Sequence, residues 1–186
     1  KRRTKFNDTM KRIWMTTFLS LTLCAGPCGG RARANDNPPQ EKTANPKVYL
    51  TRTITPEALV RIYEAQERPA TGKVAVKLST GEPDGHNYLK PELIKEIVTK
   101  VGGTIVECNT AYGGARNETP KHIELMKKHH WSDLFDVDIM DAEGPDVEWP
   151  VENGKVLKVN YLGKNIENYD SMLVLIHFKG HPMGGY

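Results

Sequence analysis

The stretch KVAVKLSTGEPDGHNYLKPELIKEIVTKVGGTIVEC, residues 73–108, decides the fold. Lys73-Val-Ala-Val-Lys-Leu-Ser79 is short, β-branched and apolar, which reads as a buried strand. A loop rich in Gly, Pro and Asp follows. Pro91 then opens a segment whose apolar residues, Leu93, Ile94, Ile97 and Val98, recur at helical spacing as far as Val101. Gly102-Gly103 closes that helix, because glycine takes the left-handed conformation a helix C-terminus requires. Thr104-Ile-Val-Glu-Cys108 returns to strand character. Strand, helix and strand in this order predict a βαβ unit with parallel strands.

The pattern extends in both directions. Upstream, Val48-Tyr-Leu-Thr51 reads as a short strand. Thr55-Pro56-Glu57 supplies an N-cap, a proline in the first turn and an acid beside the helix dipole, so a helix is predicted to about Gln66. Downstream, Thr119-Pro120 starts a helix to about His129, and Val137-Asp-Ile-Met140 reads as a strand. Asn153-Gly154, between Trp149–Glu152 and Lys155–Asn160, predicts a β-hairpin. Ser171-Met-Leu-Val-Leu-Ile-His-Phe178 is almost unbroken in apolar character, as in the middle of a parallel sheet. The predicted fold is α/β, three-layered, with a mainly parallel sheet, flanking helices and one β-hairpin insertion.

Charge separates the chain into unlike parts. Residues 1–34 carry eight Lys/Arg against one acid, Asp8, whereas the remainder carries 18 Lys+Arg against 22 Asp+Glu. A general nucleic-acid binder would place its basic excess on the folded part, so nucleic acid is not an expected partner. The basic start resembles an export signal. Lys11 and Arg12 precede an apolar run, Ile13–Ala25, and Ala32-Arg33-Ala34 has the form of a cleavage site. The run is too short for a stable membrane span, and Pro27 with Gly26, Gly29 and Gly30 argues against a buried helix. We therefore expect a signal peptide with an upstream extension over residues 1–34 and cleavage near Ala34, giving a periplasmic or extracellular protein. Polar, Pro-rich residues 35–47 form a flexible spacer. Residues 48–186 form the α/β domain, whose abrupt end in His181-Pro-Met-Gly-Gly-Tyr186 suggests truncation at the C-terminus.

In open parallel sheets, ligands bind beyond the carboxyl ends of the strands. Three strands here lead into unusual polar loops. One contains Lys77 and then Ser79-Thr-Gly-Glu-Pro-Asp-Gly-His86. The second contains Asn109, Thr110, Tyr112, Gly113, Gly114 and Arg116, and the third His177, Lys179 and His181. Lys77, Arg116 and Lys179 suit a small anionic ligand. The glycines allow close backbone approach, and His86, His177 and His181 supply proton-transfer groups. His177 and His181 are also the candidate metal ligands, and with Lys77 the candidate catalytic groups. Lys77, inside an apolar strand, needs a partner, and Glu107 on the neighbouring strand is the candidate; a purely structural ion pair is the alternative. Cys108 reads as a small buried hydrophobe. His129 and His130 read as helix-end residues, His122 as a solvated residue on a charged helix, and the acidic run from Asp133 to Glu148 as a solvated surface.

Three of these motifs, Lys77-Leu-Ser-Thr-Gly-Glu-Pro, Asn109-Thr-Ala-Tyr-Gly-Gly-Ala-Arg and His177-Phe-Lys-Gly-His, resemble domain-of-unknown-function family 362, over about Val48 to Tyr186. Members of that family are often labelled uncharacterised Fe–S centre proteins. The resemblance implies an α/β domain and, in many members, a four-iron cluster held by a cysteine run near the C-terminus. No such run occurs in this sequence, so a cluster would belong to a C-terminal region absent from this chain. The expectation is an exported, redox-linked or metal-assisted enzyme acting on a small anionic molecule, with an electron-transfer partner. The alternative is a non-catalytic module that binds an anion or another small molecule.

Overall fold

The computed structural model describes residues 45–178, 180, 183 and 184. The export-signal segment, most of the spacer, Lys179 and His181 lie outside the described residues.

The central βαβ unit forms as the sequence predicts. Strand β1 spans Val74–Lys77, helix α2 Pro91–Val101 and strand β2 Gly103–Glu107, preceded by helix α1 at Pro56–Ala65. The Thr55 hydroxyl caps α1 by accepting from the Ala58 N–H at 3.3 Å. Gly102 ends α2 in the left-handed region at φ 59°, its N–H meeting the Val98 and Thr99 carbonyls. Gly103 must lack a side chain for a different reason: a Cβ there would stand 2.5 Å from Cγ2 of Val76 on the adjacent strand.

Helices α3 (Thr119–Lys128) and α4 (Trp131–Leu134) lead to β3 (Val137–Ile139), and β6 (Ser171–Val174) completes the sheet. The order is β3-β2-β1-β6, with every pairing parallel. Lys77 stands level with Val106 on one side and Val174 on the other, so the carboxyl ends of the three strands share one edge. Strand adjacency, which a shared crevice requires, is therefore present.

The two faces of the sheet are covered unequally. On one, Val74, Val76, Leu78, Ile105 and Ile139 pack with Ile94, Ile97, Val98, Met126 and Trp131 from the helices. On the other, Ala75, Val106 and Met140 meet Ile166, Tyr169 and Met172, so the cover there is the 3-10 turn Lys164–Asn168 and the residue after it. An antiparallel pair, β4 (Pro145–Pro150) with β5 (Val159–Gly163), stands apart from the main sheet. No helix among the described residues is long and apolar enough to cross a membrane.

Three local expectations are corrected. Val48-Tyr-Leu-Thr51 is not a strand; Val48 and Leu50 are exposed and pair with nothing that would satisfy a β ladder. The hairpin is not closed by a two-residue turn. Asn153 takes positive φ but Gly154 does not, so the type I′ turn that Asn-Gly favours is not made. Residues 151–158 form the connection instead, with the Val151 N–H bonded to the Lys158 carbonyl. Finally, Ser171–Phe178 is not a central strand. It ends at Val174 and, among the described residues, lies at the end of the sheet, half-buried, while Ile176 and Phe178 are exposed.

Candidate functional site

β1 and β2 end together, and their last residues meet. Lys77 Nζ lies 2.5 Å from Glu107 Oε1 and donates also to the Leu78 carbonyl at 2.7 Å. Glu107 is buried, yet its carboxylate is well supplied with donors. Besides Lys77, it accepts from the Thr80 N–H at 3.2 Å, the Cys108 N–H at 3.3 Å and Arg116 Nη1 at 3.4 Å. A carboxylate can remain charged in the interior only under such conditions. The partner expected for Lys77 is thus the one it has.

Arg116 reaches this carboxylate from the loop after β2 and is only 8% exposed. Its Nη2 donates to the Glu82 carboxylate and, at 3.1 Å, to the Tyr112 hydroxyl, which itself donates to Glu82 Oε1 at 3.2 Å. Burial works against the guanidinium charge, but the Glu82 hydrogen bond and the charges of Glu82 and Glu107 more than offset it, so its pKa is raised. Arg116 Nε is buried and has no hydrogen-bond partner.

Behind this ionic row runs a neutral one. His122 is completely buried, which corrects its expected place on a solvated helix face. Its Nδ1 lies 3.4 Å from Asn109 Oδ1 and its Nε2 3.2 Å from Thr80 Oγ1. Asn109 Nδ2 donates to Thr119 Oγ1 at 2.9 Å, which turns Oδ1 toward the histidine. The pattern fits an Nδ1–H imidazole that donates to Asn109 and accepts the Thr80 hydroxyl. Thr80 is further held at its carbonyl by His129 Nδ1 (2.9 Å) and Trp131 Nε1 (3.1 Å). The readable signal for His122 is its spacing. It lies three and four residues before Leu125 and Met126, on the buried stripe of α3, but Lys121, Lys127 and Lys128 dominate the local composition.

Burial lowers the His122 pKa below its usual 6.5, opposed by Glu107 and Asp141 and reinforced by Arg116 and Lys77. The native state therefore prefers the neutral ring. The stabilisation is fully present above about pH 6.5 and is lost as pH falls through the lowered native value. The melting temperature of the chain should fall on acidification across that window, and less steeply in His122→Gln. Parallel slopes for the two proteins would assign the acid sensitivity to other groups.

The remaining sequence-predicted residues are spread around this centre. Asn109 and Thr110 line a cleft of about 570 Å³ together with Asn117, Glu118, Thr119 and Asp141. Gly113 and Gly114 are exposed, with open space where a Cβ would stand. His86 is exposed on the loop after β1. His177 contacts that loop, its Nδ1 donating to the Asn87 carbonyl at 2.6 Å, so the end of β6 does approach the end of β1. Cys108 is half-buried, and desolvation raises its thiol pKa, which fits a packing role. No group of three or more His, Cys, Asp or Glu among the described residues is arranged to hold a metal ion. Glu82 was not singled out from the sequence, since nothing in its local spacing points to Arg116, 34 residues away.

No curated protein and no solved structure matches the chain. Residues 74–186, which include all three sequence motifs and the whole Lys77–Glu107–Arg116 cluster, match the family described as domain of unknown function DUF362, and the chain belongs to that family.

Proposed function

We propose that this chain is the ligand-binding part of an exported protein, and that a small anionic molecule binds where the loops after β1, β2 and β6 converge. The observation that carries this reading is Arg116, a guanidinium nine-tenths buried at the carboxyl ends of the strands with its Nε–H unused. A forked donor in such a place suits two oxygens of one carboxylate or phosphate. Lys77 lies beside it across Glu107. Tyr112 offers a hydroxyl at the crevice mouth, and Asn109 and Thr110 add polar groups. Export is supported by the Lys11-Arg12 start, the apolar run and Ala32-Arg33-Ala34.

A redox-linked or metal-assisted reaction at the same crevice is the second reading. It is favoured by His177, whose ring is oriented through Nδ1 on Asn87 so that Nε2 is left to exchange protons. An iron–sulfur cluster, implied by the family resemblance, does not fit the residues present. A four-iron cluster takes four thiolates, the sequence holds three cysteines, and Cys108 is the one among the described residues. No step of either reading runs through a cluster.

Calorimetric titration of the full chain with inorganic phosphate and with succinate tests the proposal. Binding is expected to weaken at least tenfold, about 1.4 kcal/mol, in Arg116→Lys, which keeps the charge and loses the fork. Absence of binding to either anion, or unchanged affinity in the variant, would overturn it.

A further inference from the structure

The ion pair between Arg116 and Glu82 joins unlike partners. The Arg116 side chain is 10% exposed and the Glu82 side chain 49%. The base is thus fixed from within, against Glu107, while the acid comes to it from the solvent side. Glu82 belongs to a tight turn in which the Gly85 N–H bonds to the Glu82 carbonyl at 2.9 Å. The turn is entered through Gly81 at φ 95°, where a Cβ would meet the Tyr88 ring at 2.5 Å, so the backbone reverses at a position that only glycine fills. Tyr112, itself exposed, closes the arrangement by accepting from Arg116 and donating to Glu82.

Charge and hydrogen-bond capacity both mark this pair as replaceable. Among the described residues, Lys77 and Arg116 face the carboxylates of Glu107 and Glu82. Withdrawal of Glu82 removes one of these carboxylates and so makes the crevice more positive by one charge. Glu82 is half-exposed, so water can take the place of Arg116 at its carboxylate when it withdraws. An incoming carboxylate spanning Nη2 and Nε would also engage the buried N–H that Arg116 leaves unpartnered.

We propose that Glu82 occupies the seat of the ligand's own carboxylate, so that the site takes a small carboxylic acid and the loop after β1 withdraws Glu82 when that acid binds. This rests on the anion-binding reading above and adds to it the ligand class and a built-in competitor. If Glu82 is seated nine-tenths of the time, its removal raises apparent affinity about tenfold.

The test compares the full-length wild type, Glu82→Gln and Glu82→Ala for succinate and inorganic phosphate by calorimetry, with circular dichroism confirming that each protein is folded. Succinate is expected to bind several-fold to about tenfold tighter in both Glu82 variants, and the gain should vanish when Arg116→Lys is added. Wild-type binding that depends on Arg116 but does not tighten in either Glu82 variant would overturn the stand-in role and leave anion binding intact. Tightening for phosphate without tightening for succinate would overturn the carboxylic-acid assignment. Failure of all three proteins to bind either anion would overturn both this inference and the reading on which it rests.

Discussion

Glu107→Ala is expected to lower folding stability by about 3–5 kcal/mol, the usual cost of removing one partner from a buried ion pair. The carboxylate sits between Lys77 and Arg116 and accepts the N–H groups of Thr80 and Cys108. Alanine removes all four contacts at once. Lys77, 31% exposed at its side chain, can turn its ammonium outward, but Arg116, at 10%, cannot. The loss therefore falls on two orphaned backbone donors and on a guanidinium whose Nη1 loses its acceptor while Nη2 keeps Glu82. Glu107→Gln keeps an acceptor oxygen near the same donors and should lose less. Urea titrations of the three proteins measure the effect. A loss below about 1 kcal/mol in the alanine variant would mean that the Glu82 pair alone suffices for Arg116 or that its Nη1 reaches water.

Trp131→Ala should be comparably damaging, at about 3–5 kcal/mol. The indole is completely buried, lies 6.4 Å from the Tyr88 ring and 6.3 Å from the Phe135 ring, and donates from Nε1 to the Thr80 carbonyl. Removing it empties the space between α4 and the loop after β1. Trp131→Phe separates the two contributions, because it preserves most of the volume and loses the N–H. Its cost should be about 1 kcal/mol, since His129 still donates to the same carbonyl. Both variants should also exchange amide hydrogens faster around Thr80. Unchanged protection there, with the stability loss intact, would show that Trp131 supports the core without steering the loop.

What could be read in advance follows from the range of the forces involved. The βαβ unit was legible because its signals are local: the change of apolar period, Pro91 at the helix start and Gly102 at its end. Lys77 with Glu107 was legible because a charge inside an apolar strand demands a partner, and the end of the next strand supplies the nearest one. Val48–Thr51 misled because strand composition describes a surface that fits a sheet, and no sheet edge reaches it. His122 was hidden by its lysine neighbours although its spacing placed it inward. Arg116 was legible as a site residue, but its pairing with Glu82 was beyond local inference, since it depends on how the loops after the parallel strands β1 and β2 meet.

The place of β6 beside β1 also governs how the molecule is made. The hydrogen bond that anchors this pairing joins Lys73 to Asp170, 97 residues later. Ribosomes add about 5–20 residues per second, so for roughly 5–20 s after β1 emerges its outer ladder of N–H and C=O groups has no intramolecular partner. An unpaired strand edge is a template for intermolecular pairing. A nascent chain sent directly for export would not have to protect that edge, because a chain that crosses unfolded postpones sheet formation until both strands are present together. One that lingered in the cell would keep that edge open to other chains until β6 arrived.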